Sequence, residues 1–217
     1  MERGALEHAL ALAEAGRLQE ADGLADDTID RAIRSRDRET LLAWVPLSVQ
    51  LCDALGRPAR AVHVLSVASS FLRDESAGDS ATSLEVDAAL RATSARLDEW
   101  RPRLEQAFAR VVDEGAPGWG LEAVLGLCEA ASALDQEEWV AQGALRLARR
   151  WAQEREATSV GQLVVFAARG LENVGRDRAA LEAWTMACDL ASSVVAVDLE
   201  AWTERRERCA ARLLSRG

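Results

Sequence analysis

The residue types that most often carry out chemistry are sparse in this sequence. His8 and His63 are the only histidines, and neither has another histidine or a cysteine three or four positions away. Zinc sites of the usual kind depend on such ligand spacing. The sequence therefore predicts no metal site, although a catalytic pair of one cysteine and one histidine remains open at this point.

The four cysteines lie far apart and form no sequence pairs, which is typical of free thiols in a reducing compartment. Cys52, Cys128 and Cys188 fall in apolar helical stretches, where cysteine usually behaves as a small core residue. Cys209 falls in a charged stretch, and we expect it to be the exposed thiol.

Other catalytic signatures are missing. All 26 basic residues are arginine, and the chain has no tyrosine, so a P-loop lysine, a Schiff-base lysine and a tyrosine acid are ruled out. A GC-rich genome accounts for this lysine-free composition better than selection against conjugation to lysine. Gly118-Trp119-Gly120 lacks the spacing of a phosphate-binding loop. The sequence predicts a protein that is not an enzyme and has no cofactor.

Charge and hydropathy narrow the function classes further. The chain has 217 residues, of which 49% are hydrophobic, and a formal net charge of −10. No long basic run is available to bind phosphates, so we expect no nucleic-acid partner. Charges interrupt every apolar stretch, and the first residues are amphipathic, so we expect neither a membrane span nor a signal peptide. These features predict a soluble, cytoplasmic protein.

The sequence predicts helices as the secondary structure that holds any functional site in place. Alanine, leucine, glutamate and arginine dominate, and alternating strand patterns are missing. Pro58 and Pro102 are placed as in first helical turns, and Thr82 with Glu85 is typical of a capping box. Pro46 should kink its helix or displace the start of that helix.

The helix ends repeat along the chain. Gly16 and Gly56 each end an apolar-periodic segment and are 40 residues apart, and Gly175 fits three further steps of about 40. Intermediate turns are expected near positions 96 and 136. After each turn, small and apolar residues recur with spacings of four and three, as in Ala61, Leu65 and Ala68. This pattern favours an all-α array of helical hairpins.

Three segments carry a resemblance to a known family: residues 15–21 (AGRLQEA), 55–61 (LGRPARA) and 174–180 (VGRDRAA). They resemble tetratricopeptide repeats, in the longer and divergent form found in bacterial regulators and adaptors, because the step of about 40 residues exceeds the usual 34. The resemblance implies a right-handed superhelix whose first helices line a concave, peptide-binding surface.

We therefore expect one domain, residues 1–217, with five antiparallel hairpins and a C-terminal capping helix. The predicted hairpins span residues 2–35, 38–73, 82–114, 120–157 and 159–195, and the capping helix spans about 198–215. Trp44, Trp139, Trp151 and Trp184 are expected to pack in the core of these hairpins.

Family geometry implies that first-helix residues just before each turn face the groove. The resulting candidate protein-binding residues are Gln50, Asp53, Arg169, Glu172 and Asn173, flanking apolar middle positions at Ala130, Ala133 and Leu134. Trp119 is added as an exposed aromatic anchor.

The predicted function is a protein-binding scaffold or adaptor. The net negative charge favours a partner segment with basic residues around an apolar anchor. The alternative is a small-molecule-sensing, all-α regulatory domain.

Overall fold

A computed structural model describes residues 2–75, 77–116, 118–153, 157–191 and 199–216. Throughout these residues the regular structure is α-helical, as predicted, with no strand. The described residues form eleven helices: α1 (Glu2–Glu14), α2 (Leu18–Ser35), α3 (Arg38–Ala54), α4 (Pro58–Asp74), α5 (Gly78–Ser94), α6 (Trp100–Glu114), α7 (Leu121–Ser132), α8 (Glu137–Trp151), α9 (Ala157–Asn173), α10 (Asp177–Ala191) and α11 (Leu199–Arg216).

The helices form two compact units, residues 1–107 and 108–217, whose boundary falls within α6. In the first unit, α1 to α5 pack each on the next, and α1 also touches α3. In the second unit, α7 to α11 pack in the same sequential way, and α7 also touches α9. Sequential packing with contact between alternate helices is the arrangement of stacked hairpins. That the whole chain forms one domain stays a prediction.

The turns follow a half-repeat of 20 residues. A residue in the left-handed conformation ends a helix at positions 16, 36 and 56, and again at 96, 115, 135 and 175. At Gly16 the next amide, Arg17 N, donates to Leu12 O at 2.9 Å, while Gly16 N donates to Ala13 O at 3.0 Å. This pair of bonds is a Schellman motif, which satisfies the last carbonyls of a helix. The turns predicted near positions 96 and 136 are therefore confirmed, at Arg96 and Asp135.

Two of the predicted helix starts are confirmed and one is wrong. Pro58 is the first residue of α4, and Pro102 lies in the first turn of α6. The predicted capping box does not form, because α5 begins four residues earlier and Thr82 is buried inside the helix. Glu85 instead forms an ion pair with Arg73 at 2.8 Å, so its carboxylate is engaged by α4.

Pro46 lies inside α3, which begins at Arg38, so it does not displace the start of the helix. Asp37 supplies the N-cap there, since its carboxylate accepts a hydrogen bond from Thr40 N at 3.1 Å. The ring of Pro46 is exposed. Proline has no amide hydrogen to donate, and the exposed position of Pro46 puts this missing hydrogen bond on the surface of the helix and not in the core.

The predicted small-residue pattern forms the core between helices. Its members are all buried: Ala21, Ala25 and Thr28 on α2, Ala61, Leu65 and Ala68 on α4, Ala141, Leu145 and Ala148 on α8, and Ala180, Trp184 and Ala187 on α10. Short side chains let neighbouring helices approach closely. Trp44 and Trp151 are also fully buried, whereas Trp139 is partly exposed and packs edge-on against Phe108 with ring centroids 4.8 Å apart.

The thiols differ from expectation at one position. Cys52 and Cys128 are buried as predicted, and Cys188 is half-buried. Cys209, expected to be exposed, is fully buried. The reason is its position on α11, between Arg205 and Arg212, on the side of the helix that contacts α9 and α10.

Candidate functional site

A groove of about 440 Å³ lies in the second unit, on the face formed by α7 and α9. The first residues of α8 close one part of it, and Trp202 of α11 contributes a further wall. The lining residues are Leu125, Glu129 and Ser132 from α7, Glu137, Val140 and Ala141 from α8, Gln162, Val165, Phe166, Arg169, Gly170 and Asn173 from α9, and Trp202. This volume is within the range of ligand pockets.

The groove face of α9 follows directly from helical periodicity. Its lining residues recur at spacings of three and four from Gln162 to Asn173, so they share one side of the helix. Gly170 is needed on this face, because a Cβ there would lie 2.9 Å from the Cβ of Ala141. The glycine thus lets α9 pack closely on α8 at the base of the groove.

Apolar side chains form the floor of the groove and the wall that Trp202 contributes. Leu125, Val165, Phe166 and Trp202 are each half-buried and retain surface that faces the cavity. Half-buried aromatic and aliphatic side chains in a concave site are typical anchors for an apolar group of a partner.

Polar side chains at the groove divide into engaged and free groups. Asn173 donates from Nδ2 to Glu137 Oε1 at 2.9 Å. Arg169 and Glu129 are exposed, and neither has an ion-pair or hydrogen-bond partner within the part of the chain that the structure describes. As far as the described residues go, the guanidinium of Arg169 on α9 and the carboxylate of Glu129 on α7 are thus unpaired.

Among the predicted binding residues, Arg169 and Asn173 line this groove, whereas Glu172 does not. The Glu172 carboxylate accepts hydrogen bonds from Arg205 at 3.1 Å and from Arg212 at 3.0 Å. It also accepts one from Trp184 Nε1 at 3.3 Å. Only 11% of its side chain is exposed. Glu172 therefore holds α9 to α10 and α11.

The ionisation of Glu172 reflects this setting. Burial by itself would raise its pKa, but hydrogen bonds from Arg212 and Arg205 outweigh burial and hold the pKa below the usual value. The same Arg212 lies 2.7 Å from the carboxylate of buried Asp177 and donates to Cys209 Sγ at 3.2 Å. We call Glu172, Asp177, Arg205 and Arg212 the α11 clasp.

The remaining predicted residues lie elsewhere. Gln50 and Asp53 are exposed near the end of α3 in the first unit, where Asp53 forms an ion pair with Arg91 at 2.6 Å. Trp119, predicted as an exposed anchor, is half-buried in the connection between α6 and α7. These three residues do not line the groove in the second unit.

Sequence reasoning missed Glu129, Phe166 and Trp202. On α7 it favoured Ala130, Ala133 and Leu134 by counting back from a turn at position 136. The helix ends at Ser132, so Ala133 and Leu134 belong to the turn. The missed signal was the spacing of Leu125, Glu129 and Ser132, which places all three on one face.

The described residues hold no cluster of three potential metal ligands among histidine, cysteine, aspartate and glutamate. In those same parts of the chain, every helix is too short or too polar to cross a bilayer.

Comparison with known proteins supports the fold. No protein-family model matches the sequence, and no curated protein matches it. The crystal structure of a kinesin-light-chain-like protein of Podospora anserina with nearly identical TPR-like repeats is similar to this chain. The TM-score is 0.53 at 18% identity, over 90% of this chain and 97% of the other. Together with the stacked hairpins, this similarity shows that the chain has the fold of a tetratricopeptide-like helical repeat protein.

Proposed function

We propose that this protein is a non-catalytic binding module that holds a segment of another protein in the groove between α7 and α9. The observation that carries the proposal is the groove itself, in which half-buried apolar side chains lie beside Arg169 and Glu129, two exposed charged residues with no partner among the residues that the structure describes. Such a combination supplies both an anchor site and groups that set specificity. The tetratricopeptide-like fold supports an interaction role in general.

The partner is proposed to be a protein, not nucleic acid or a membrane. The net charge of −10 repels phosphates, whereas the groove offers surface for a polypeptide side chain. The acidic chain favours a partner with basic residues near its anchor, since opposite potentials speed encounter. Binding of this kind suits a cytoplasmic adaptor.

Gln50, Asp53 and Trp119 remain proposed as contributing contacts outside this groove. Gln50 is exposed, and Asp53 is half of an exposed ion pair that a charged partner could exchange. Pairs of this kind contribute about 0–1 kcal/mol to stability, so their loss on binding costs little.

A second candidate is small-molecule sensing, which the volume of about 440 Å³ supports. The two candidates differ in what they need from the groove. A small ligand depends on the apolar floor, whereas a protein segment also contacts the exposed rim over the length of α9.

The test is an unbiased selection of displayed random peptides against the purified chain. Binding of the selected peptides is then mapped by amide chemical-shift changes. We expect the shifts to cluster on α7 and α9, and Arg169→Glu to weaken binding about tenfold. Arg146→Glu is the matched control, because Arg146 is an exposed arginine on α8 outside the groove. Shifts confined to α8 and α10, or equal effects of the two reversals, would refute the proposal.

A further inference from the structure

The groove carries opposite charges on different helices. Glu129 belongs to α7 and Arg169 belongs to α9, and both line the same cavity. The other carboxylate at the groove, Glu137, already accepts a hydrogen bond from Asn173. Glu137 keeps its negative charge, since an amide does not neutralise a carboxylate, but Glu129 is the lining carboxylate with no hydrogen-bond partner among the described residues. Arg169 is the one guanidinium among the lining residues.

Net charge and local charge point to different ligands. The net charge of −10 favours a wholly basic segment. Ionic strength near 0.15 M screens charges beyond about 8 Å, so the field of the whole chain steers encounter more than it selects at contact. Within the groove, a wholly basic segment would place a cation against Arg169. Like charges in contact are unfavourable and reject that ligand.

Resting on the proposed function, we infer that the groove selects a bipolar polypeptide segment of the partner. This segment has one basic side chain for Glu129, one acidic side chain for Arg169, and an apolar side chain between them. The apolar side chain contacts Phe166 on the floor and Trp202 on the wall. Gln162 and Ser132 are neutral polar residues at the rim, where they form hydrogen bonds with the backbone of the segment.

The probe is a library of twelve-residue peptides with a fixed Leu-Phe centre. Arginine, aspartate or glutamine is varied at one position on each side of that centre. Enrichment on the immobilised full chain gives the preferred charge combination. We expect peptides with one arginine and one aspartate on opposite sides to exceed both doubly basic and doubly acidic peptides about tenfold.

Two pairs of variants assign each preference to its residue. Glu129→Gln should remove the preference for arginine, whereas Glu122→Gln, on an exposed residue of the same helix outside the groove, should retain it. Arg169→Gln should remove the preference for aspartate, whereas Arg146→Gln should retain it. These four residues are exposed and have no ion-pair or hydrogen-bond partner among the described residues, so the fold is expected to survive each change.

Several results would overturn the inference. Dominance of doubly basic peptides would show that net charge, not the groove, selects the ligand. Equal enrichment of all charge combinations, or no enrichment, would show that Glu129 and Arg169 do not select peptides by their charge. Self-association that Glu129→Gln abolishes in sedimentation experiments would assign the groove to a second copy. If the unbiased selection still maps to α7 and α9, the proposed function stands while this inference fails.

Discussion

Arg212 donates from Nη2 to Glu172 Oε1 over 3.0 Å, and this contact fastens α11 to α9. Arg205 reinforces it at 3.1 Å and lies over the ring of Trp184, with its guanidinium carbon 5.5 Å from the ring centroid. The carboxylate is nearly buried, whereas the two arginine side chains are 36% and 39% exposed. The α11 clasp is thus a partly shielded charge network, which is worth more than a surface ion pair.

Glu172→Gln is expected to destabilise the chain by about 2 kcal/mol, because an amide cannot satisfy two guanidinium donors and Trp184 Nε1 together. Urea denaturation of both proteins measures this change. Glu182→Gln is the matched control, since Glu182 is 55% exposed in its ion pair with Arg149, and it should change stability by less than about 0.5 kcal/mol. Equal losses from the two substitutions would contradict the role of the clasp.

The clasp also predicts an acid-dependent loss of stability. A carboxylate whose folded pKa is lowered contributes stability above its unfolded pKa, and that contribution falls as pH drops through the folded pKa. For Glu172 the free-energy difference between wild type and Glu172→Gln should stay constant from about pH 7 to pH 5. This free-energy difference should shrink below about pH 4.3, the usual pKa of a glutamate side chain. Unfolding curves at each pH measure it, and a difference that grows on acidification would reverse the assigned sign.

Gly143→Ala should destabilise the second unit by about 1–3 kcal/mol despite the better helix propensity of alanine. A Cβ at Gly143 would lie 2.7 Å from two ring carbons of Phe108, and that ring packs edge-on against Trp139. Gly126→Ala on α7 is the control, because a Cβ there meets no atom within 4 Å. It should be neutral or stabilise the chain by up to about 1 kcal/mol. Thermal unfolding compares the two, and a neutral Gly143→Ala would show that the Phe108 ring moves freely.

Thiol modification should begin at Cys188. It is the one cysteine that is not buried, whereas burial raises the pKa of Cys128 to about 12 and also raises that of Cys209. Alkylation with iodoacetamide at pH 8, followed by peptide mass spectrometry, should show Cys188 modified at least about tenfold faster than the others. Early modification of Cys209 would instead mean that α11 leaves its position often under native conditions.

Local sequence signals predicted the hairpins because helix ends and helix faces are determined by residues that are close in sequence. A glycine that adopts positive φ, followed by small residues at spacings of three and four, defines one helix end and the next helix face within about 20 residues. Arg36, Arg96 and Asp135 take the same conformation without glycine, so only the spacing of the repeat predicted two of those turns. Thr82 failed as a cap because α5 begins at Gly78, which places Thr82 inside the helix, where its side chain is buried.

The groove was harder to predict, because its composition depends on which distant helices meet. The resemblance to tetratricopeptide repeats implied Arg169 and Asn173 as groove residues from their positions before Gly175, and it implied Glu172 in the same way. Its side chain nevertheless meets Arg205 and Arg212, which lie 33 and 40 residues further along the chain. Trp202 likewise reaches the groove from α11, which the sequence indicated only as a charged cap. Helical periodicity predicts which residues share a face of one helix, but it does not predict which other helix that face contacts.

Trp202 and Arg212 belong to the same helix, so the wall of the groove and the clasp are joined by one rigid element. Under the proposed function, an occupant that touches Trp202 would stabilise the docked position of α11, and by thermodynamic reciprocity a docked α11 would strengthen binding of the occupant to the same degree. A substitution that loosens the clasp would then lower the affinity for the occupant, although the substituted residue does not contact it. The last helix, α11, would then adjust the affinity of the groove through the clasp, which lies outside the groove.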